Sequence, residues 1–198
     1  MKQSLAWVNS GGGPLLAIPI EIAPHWRGVH GSWASSEDRA EQSAKSHSDY
    51  DRACGIDGYL GMLDVGPGRA LVFGDEPMQT AFIPRPGGGV FVRWMYAEDE
   101  DSVRRAVELV PETIWEATPH RMGIARGGLL IFDSAYPGDA LPTSSGDRAI
   151  IDAVRIEVAP GIYRVDTADY EPDDSTRVIL HRLRSEDPNA FDGTPLSE

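Results

Sequence analysis

Two adjacent carboxylates, Asp75 and Glu76, follow an apolar segment in the stretch LVFGDEP at residues 71–77. Acidic residues at the end of a strand can transfer protons, bind a metal ion, present charge to a partner or form a turn. Neighbouring side chains on an extended backbone point to opposite sides, whereas the carboxylates of glycosidases face each other across a cleft. The sequence favours a turn, in which Gly74 permits an unusual backbone angle and Pro77 directs the exit. The alternative is an acidic recognition surface that includes Glu76.

The other reactive residues do not form a recognisable site. No Gly-x-Ser-x-Gly motif is present. The single cysteine, Cys54, lies near the C-terminal end of a predicted short helix, where the macrodipole does not activate a thiol. We therefore predict a buried structural Cys54 on the inner face of that helix. The histidines lack ligand spacing, so no metal, cofactor or catalytic residue is predicted; they are His25, His30, His47, His120 and His181.

The composition is that of an acidic chain of 198 residues, with 18 lysines and arginines, 31 aspartates and glutamates, and a formal net charge of −13. This charge argues against direct binding of nucleic acid or of anionic membranes, because both need basic residues. It is compatible with a basic protein partner, or with solubility alone. One cysteine excludes an internal disulfide, and neither a signal peptide nor an apolar stretch of about 20 residues is found. We therefore expect a cytoplasmic protein.

Short alternating segments separated by turns rich in glycine and proline predict an α+β fold that is mostly antiparallel β-sheet. A meander is predicted at residues 59–96. A C-terminal hairpin is predicted from the alternation at residues 154–158 and 163–165, on either side of Ala159-Pro160-Gly161. Because no crossover helices separate the strands, a doubly wound sheet is not expected.

Two helices complete the predicted fold. One good helix is expected near residues 99–110, with acidic residues in its first turn. A short helix is expected near residues 49–55, with Ser48 and Asp51 as a capping box. We expect a single globular domain at residues 1–184 that carries a polar loop at 30–48, and a loose C-terminal tail at 185–198.

Six stretches occur in an order and spacing that point to a known family. They are WVNSGGGPLLAIP at 7–19, HWRG at 25–28, DYDRACGIDGYLGMLDVG at 49–66, ALVFGDEP at 70–77, FVRW at 91–94 and VAPGIYRVDT at 158–167. Together they resemble the immunity protein 21 family of bacterial polymorphic toxin systems. The resemblance implies a cytoplasmic protein that binds and neutralises a cognate toxin domain, without catalytic residues of its own.

With the net charge, the resemblance suggests an acidic surface that covers a basic cleft of the toxin domain. The candidate contact residues are Glu98, Asp99, Glu100, Asp101, Asp75 and Glu76, with Trp33 and Tyr170 as aromatic anchors. For the run at 98–101 the alternative is helix capping and a solvated face, and Trp33 can instead pin its loop to the body. Two other functions stay open. One is a small hydrolase that uses Asp, Glu and His in a cleft, and the other is a small-ligand binding module with a large apolar pocket.

Overall fold

The computed structural model describes residues 4–31, 48–74, 76–126, 128–140 and 152–187. Within these ranges ten strands form two antiparallel sheets of five strands each, which confirms the predicted α+β class. In chain order the strands are β1 (Leu15–Pro19), β2 (Gly61–Val65), β3 (Gly68–Phe73), β4 (Thr80–Arg85), β5 (Gly88–Tyr96), β6 (Glu116–Ile124), β7 (Leu129–Asp133), β8 (Ala153–Ile156), β9 (Gly161–Asp173) and β10 (Thr176–Ser185). The spatial order is β2-β3-β1-β7-β8 in the first sheet and β4-β5-β10-β9-β6 in the second.

The two sheets pack face to face around a shared apolar core. Leu15 and Phe73 of the first sheet belong to this layer together with Phe91 and Met122 of the second, and all four are buried. Strand β1 is apolar along its whole length because its outer face is buried as well. Its sequence, LLAIP, therefore shows no alternation of apolar and polar residues.

Helices and aromatic side chains cover the outer face of each sheet. Over the first sheet lie Trp26 and Ala53, the latter from helix α1 (Asp49–Cys54). Over the second sheet lies helix α2 (Glu100–Leu109), which buries Val103 against the strands. The described residues thus form four layers, in which each sheet is apolar on both faces.

Both helices have a side-chain N-cap, and that of α1 is the predicted one. Asp99 caps α2 by accepting a hydrogen bond from the Ser102 amide at 2.8 Å. Ser48 and Asp51 form the capping box of α1, with each side chain accepting from the backbone amide of the other residue. These signals lie within four residues along the chain, so the sequence contains them in full.

The prediction of a buried Cys54 is wrong, because this side chain is exposed. Of the six residues of α1, only Ala53 is buried. A helix of fewer than two turns presents a very narrow inner face, and Cys54 lies one residue, or about 100°, beyond it.

The C-terminal hairpin consists of β9 and β10. Residues 153–156 instead pair with β7 in the first sheet, where Ile156 lies opposite Leu129, and the chain then crosses to the second sheet. The predicted pairing of 154–158 with 163–165 is therefore wrong. Alternation identifies a strand but not its neighbour, which here follows from the burial of Ile156 in the core between the sheets.

The predicted meander is divided between the two sheets. The β2–β3 hairpin belongs to the first sheet and the β4–β5 hairpin to the second, so residues 74–79 connect the sheets. The sequence does not predict β6, which lies at an edge, is mostly exposed and has an irregular register between Ala117 and Arg121. Its Pro119 is of the kind found at sheet edges and bulges.

Parts of two predicted segments lie outside the described residues. These parts are residues 32–47 of the polar loop and residues 188–198 of the tail, whereas Ser185 completes β10. In the described part of the chain, no helix combines the length and the apolar character that crossing a bilayer requires.

Candidate functional site

A buried arginine organises the segment that connects the two sheets. Arg93, in β5, is 1% exposed. Its guanidinium donates hydrogen bonds to the carbonyl oxygens of Tyr59 at 2.8 Å, Gly74 at 2.7 Å and Glu76 at 2.9 Å. Carbonyl dipoles thus replace the water that a buried charge loses. The sequence signal for Arg93 is a single arginine inside the otherwise apolar run VFVRWMY.

The described residues on either side of position 75 have turn-like features between β3 and β4, where the Met78 amide donates to the carbonyl oxygen of Glu76 at 2.8 Å. A Cβ atom on Gly74 would lie 2.5 Å from the carbonyl oxygen of Gly58, so only glycine fits at this position. Glu76 has a φ of 45°, which is uncommon for a residue other than glycine. Its side chain is exposed and has no partner among the described residues. The turn interpretation is therefore supported, and Glu76 remains accessible; Asp75 lies outside the described residues.

The glycine turn at residues 10–14 packs beside this connection. The amide of Gly11 donates to a carboxylate oxygen of Asp133 at 2.6 Å, and the amide of Gly12 donates to Ser10 Oγ at 2.9 Å. A Cβ atom on Gly13 would lie 2.6 Å from the ring of Tyr50. A hydrogen bond with Cys54, followed by burial, raises the pKa of Tyr50. These contacts hold the turn against α1 and the end of β7.

A cavity of about 230 Å³ separates these segments. Its walls come from residues 12–14, from Cys54 and Ile56, and from Gly74, Glu76 and Pro77. Three of the stretches that carry the family resemblance thus meet around one small pocket, although they are far apart in sequence.

Several predicted contact residues lie at one end of the second sheet. Thr80 is paired with Arg93, and Tyr96 with Arg177, so the segment before β4, the end of β5 and the β9–β10 turn are neighbours. The hydroxyl of Tyr96 donates to Glu171 at 2.7 Å, which joins β5 to this turn. We call the exposed carboxylates of this region the acidic end; they are Glu76, Glu98, Asp99, Asp101, Glu171, Asp173 and Asp174.

Glu100 differs from its neighbours because it anchors the N-terminal segment. Its carboxylate accepts hydrogen bonds from Ser4 Oγ at 2.8 Å, the Leu5 amide at 3.0 Å and Trp7 Nε1 at 3.1 Å. It also pairs with Arg104 at 2.8 Å. Burial acts to raise the pKa of Glu100, but these hydrogen bonds outweigh it and hold the pKa at about 2.

The remaining candidates have varied surroundings. Tyr170 is half-buried and packs against the cluster beneath α2. Hydrogen bonds from Ser102 to Asp99, and from Ser175 to Asp173, lower the pKa of each carboxyl. Trp33 lies outside the described residues.

A larger cavity of about 640 Å³ opens at the opposite end of the sandwich. Its walls include Ile124, Ile162 and two arginines that pair with acids, Arg69 with Asp64 at 3.2 Å and Arg121 with Glu186 at 2.7 Å. Ile162 is 55% exposed. The volume lies in the range of small-ligand sites, and the walls combine these apolar residues with three charged ones, since Glu21 lies there as well.

Neither of these two cavities has a described histidine on its wall. His181 lies instead in the core, where its Nδ1 is 3.0 Å from Thr167 Oγ1 and its ring stacks on Phe73. Burial, and then the neighbouring Arg93, hold the pKa of His181 well below its ordinary value. Among the described residues, no three His, Cys, Asp or Glu side chains are grouped to hold a metal ion. The hydrolase alternative therefore has no support from either cavity.

Comparison with known proteins identifies the family. No curated protein and no solved structure gives a significant match to the chain. A family model does match, over residues 6–176, which is 171 of the 198 residues and includes all six stretches noted in the sequence. The chain therefore belongs to the family described as immunity protein 21.

Proposed function

We propose that this protein is an immunity protein of a bacterial polymorphic toxin system, which binds and neutralises a cognate toxin domain in the cytoplasm and has no catalytic activity of its own. The acidic end is the proposed contact surface. The observation that carries this proposal is the concentration of exposed carboxylates from three separate segments at one end of the second sheet, in a chain that belongs to an immunity protein family.

The charges of the described residues are distributed unevenly between the two ends. The acidic end contains seven exposed carboxylates. Of the arginines beside it, Arg177 is paired with Asp169 at 2.6 Å and Arg104 with Glu100 at 2.8 Å, while Arg105 interacts electrostatically with Asp99. The opposite end contains arginines at positions 69, 85, 121, 126 and 184, of which Arg69 pairs with Asp64, Arg121 with Glu186 and Arg184 with Asp166. Like charges held together repel each other, and a basic partner relieves that repulsion. The asymmetry also orients an approaching basic surface, which increases its association rate.

This arrangement suits a toxin domain with a basic surface, such as the cleft of a nuclease. Covering that cleft would exclude its substrate without any chemical step. Glu98 and Asp101 are suitable probes, because both are exposed and neither forms a side-chain contact with another described residue.

The test is a binding measurement with the purified toxin domain encoded beside the gene, in catalytically inactive form. We expect stoichiometric binding, and we expect Glu98→Lys combined with Asp101→Lys to slow association at least about tenfold at low salt. The matched control is Glu157→Lys combined with Glu186→Lys, which changes the net charge by the same amount but reverses two exposed acids away from the acidic end, where they pair with Arg155 and Arg121. Equal association rates for both variants, or rates insensitive to salt between about 0.05 and 0.5 M, would rule out the acidic end as the contact surface.

The small-ligand module is the second candidate function, and the 640 Å³ cavity is the observation that favours it. Ile162→Asp would place a charge on its apolar wall while changing an already exposed residue. If toxin binding is unaffected by this variant but a bound metabolite is lost, the cavity has a separate role. If no small molecule copurifies with the wild-type protein, this candidate is abandoned.

A further inference from the structure

The pocket of about 230 Å³ beside the acidic end has walls of unusual composition. Gly12, Gly13 and Gly74 contribute backbone without side chains, and Cys54 contributes a thiol. Among the described residues that line the pocket, Glu76 is the one with an ionisable carboxylate. A partner atom can therefore approach the peptide groups closely and meet the carboxylate of Glu76, while the guanidinium of Arg93 is engaged by the carbonyl groups of Tyr59, Gly74 and Glu76.

The walls of this pocket are held in place before any partner binds. Arg93 fixes the carbonyl groups of Gly74 and Glu76, and Asp133 holds the amide of Gly11 at 2.6 Å. On the other side the ring of Tyr50 fills the space that a side chain at Gly13 would occupy. A pocket that does not have to be ordered on binding loses less affinity to conformational entropy.

Size and charge together define the occupant. The volume is below the range of about 300–1,000 Å³ that is usual for small-molecule sites, but one long side chain fits within it. The Glu76 carboxylate has no partner among the described residues, so a cation is the complementary group. Arginine is prominent among side chains that fill central pockets in protein interfaces.

We propose that this pocket is the anchor site for one basic side chain, an arginine or a lysine, of the toxin domain. Glu76 pairs with the cationic group, and the glycine walls accept the aliphatic stem. This inference rests on the proposed function, and it adds a specific anchor to an otherwise diffuse acidic surface. The anchor controls how long the complex lasts, whereas the surrounding acids control how fast it forms.

The single cysteine of the chain provides a direct test of occupancy, because Cys54 is exposed and lies on the pocket wall. We expect the inactive toxin domain, at saturating concentration, to slow alkylation of Cys54 by iodoacetamide at least about tenfold. An unchanged alkylation rate in a complex that demonstrably forms would overturn the pocket proposal and leave the proposed function intact. Failure of the toxin domain to bind at all would overturn both.

A pair of variants separates the anchor from the acidic surface. Glu76→Asn removes the charge and suits the left-handed backbone, since asparagine tolerates a positive φ. We expect it to increase the dissociation rate at least about tenfold, with little change in the association rate. Glu98→Gln is the matched control, and we expect it to change mainly the association rate, by less than about threefold. Indistinguishable dissociation rates for the two variants would contradict the proposal.

Filling the pocket is an independent perturbation that leaves the charge in place. Cys54→Met lengthens a side chain on the wall, and Cys54→Ala shortens it, while both residues are good helix formers. We expect Met, but not Ala, to weaken toxin binding at least about tenfold, with circular dichroism and thermal unfolding unchanged for both. Equal affinities for the two variants would show that the pocket stays empty in the complex.

Discussion

Glu100 is expected to act on stability rather than on partner binding, and Glu100→Gln tests this. The side chain holds Ser4, Leu5 and Trp7 against the start of α2. Its pKa is about 2 instead of 4.5, a shift that corresponds to about 3 kcal/mol if fully expressed. Because the carboxylate is 23% exposed, solvent screening reduces the expected loss in unfolding free energy to about 1–2 kcal/mol.

The pH dependence of this loss follows from the direction of the shift. A carboxylate with a lowered pKa stabilises the folded state fully above the pKa of the unfolded chain, about 4.5, and the contribution disappears as the pH falls toward 2. Urea unfolding of the wild type and of Glu100→Gln should therefore give different free energies of unfolding at pH 7, and the difference should shrink below pH 4.5 and nearly vanish as the pH reaches about 2.

Asp101→Asn is the control for Glu100→Gln, because Asp101 is exposed in the same helical turn. It should change the unfolding free energy by no more than about 1 kcal/mol, through the helix dipole. Equal stability of the wild type and Glu100→Gln at pH 7 would refute the anchoring role. If Glu100→Gln lowered the unfolding free energy by the same amount at pH 7 and at pH 2.5, the packing of the side chain, and not its charge, would explain the effect.

Three further perturbations concern the core and the turns. Arg93→Met should lower the unfolding free energy by at least about 3 kcal/mol in a urea titration, because three carbonyl groups lose their donor. Its control is Arg105→Met on the surface of α2, which should lower the unfolding free energy by less than about 0.5 kcal/mol in the same titration. Gly13→Ala should lower the free energy of unfolding by about 1–3 kcal/mol, and with it the melting temperature, because the added Cβ meets the ring of Tyr50. Gly123→Ala is its control and should not lower the melting temperature, because a Cβ there meets nothing within 4 Å. Burial lowers the pKa of His181, so the unfolded chain binds a proton at this residue more readily than the folded one, and the free energy of unfolding should fall as the pH drops below about 6.5. In His181→Leu the free energy of unfolding should depend less on pH between about 7 and 5. The same pH dependence as in the wild type would contradict this reasoning.

Features that depend on a few neighbouring residues could be predicted from the sequence. The capping box of α1, formed by Ser48 and Asp51, and the position of α2 within residues 99–110 agree with the prediction. Hydrogen bonds from a cap to the third residue, and apolar spacing over one or two helical turns, are encoded within one short segment. Similarly, Gly74 and Pro77 identify the turn in LVFGDEP without knowledge of its surroundings.

The contacts between distant segments were decided only by the tertiary structure. Alternation at residues 154–158 predicts a strand, but it does not show that β7 is its neighbour. A run of acids at 98–101 does not show that Glu100 faces Trp7 while Glu98 and Asp101 face solvent. Nor does an arginine in an apolar strand show that three carbonyl groups surround it. Local conformation is selected by energies within a few residues, whereas pairing and burial are selected by the packing of the whole sandwich.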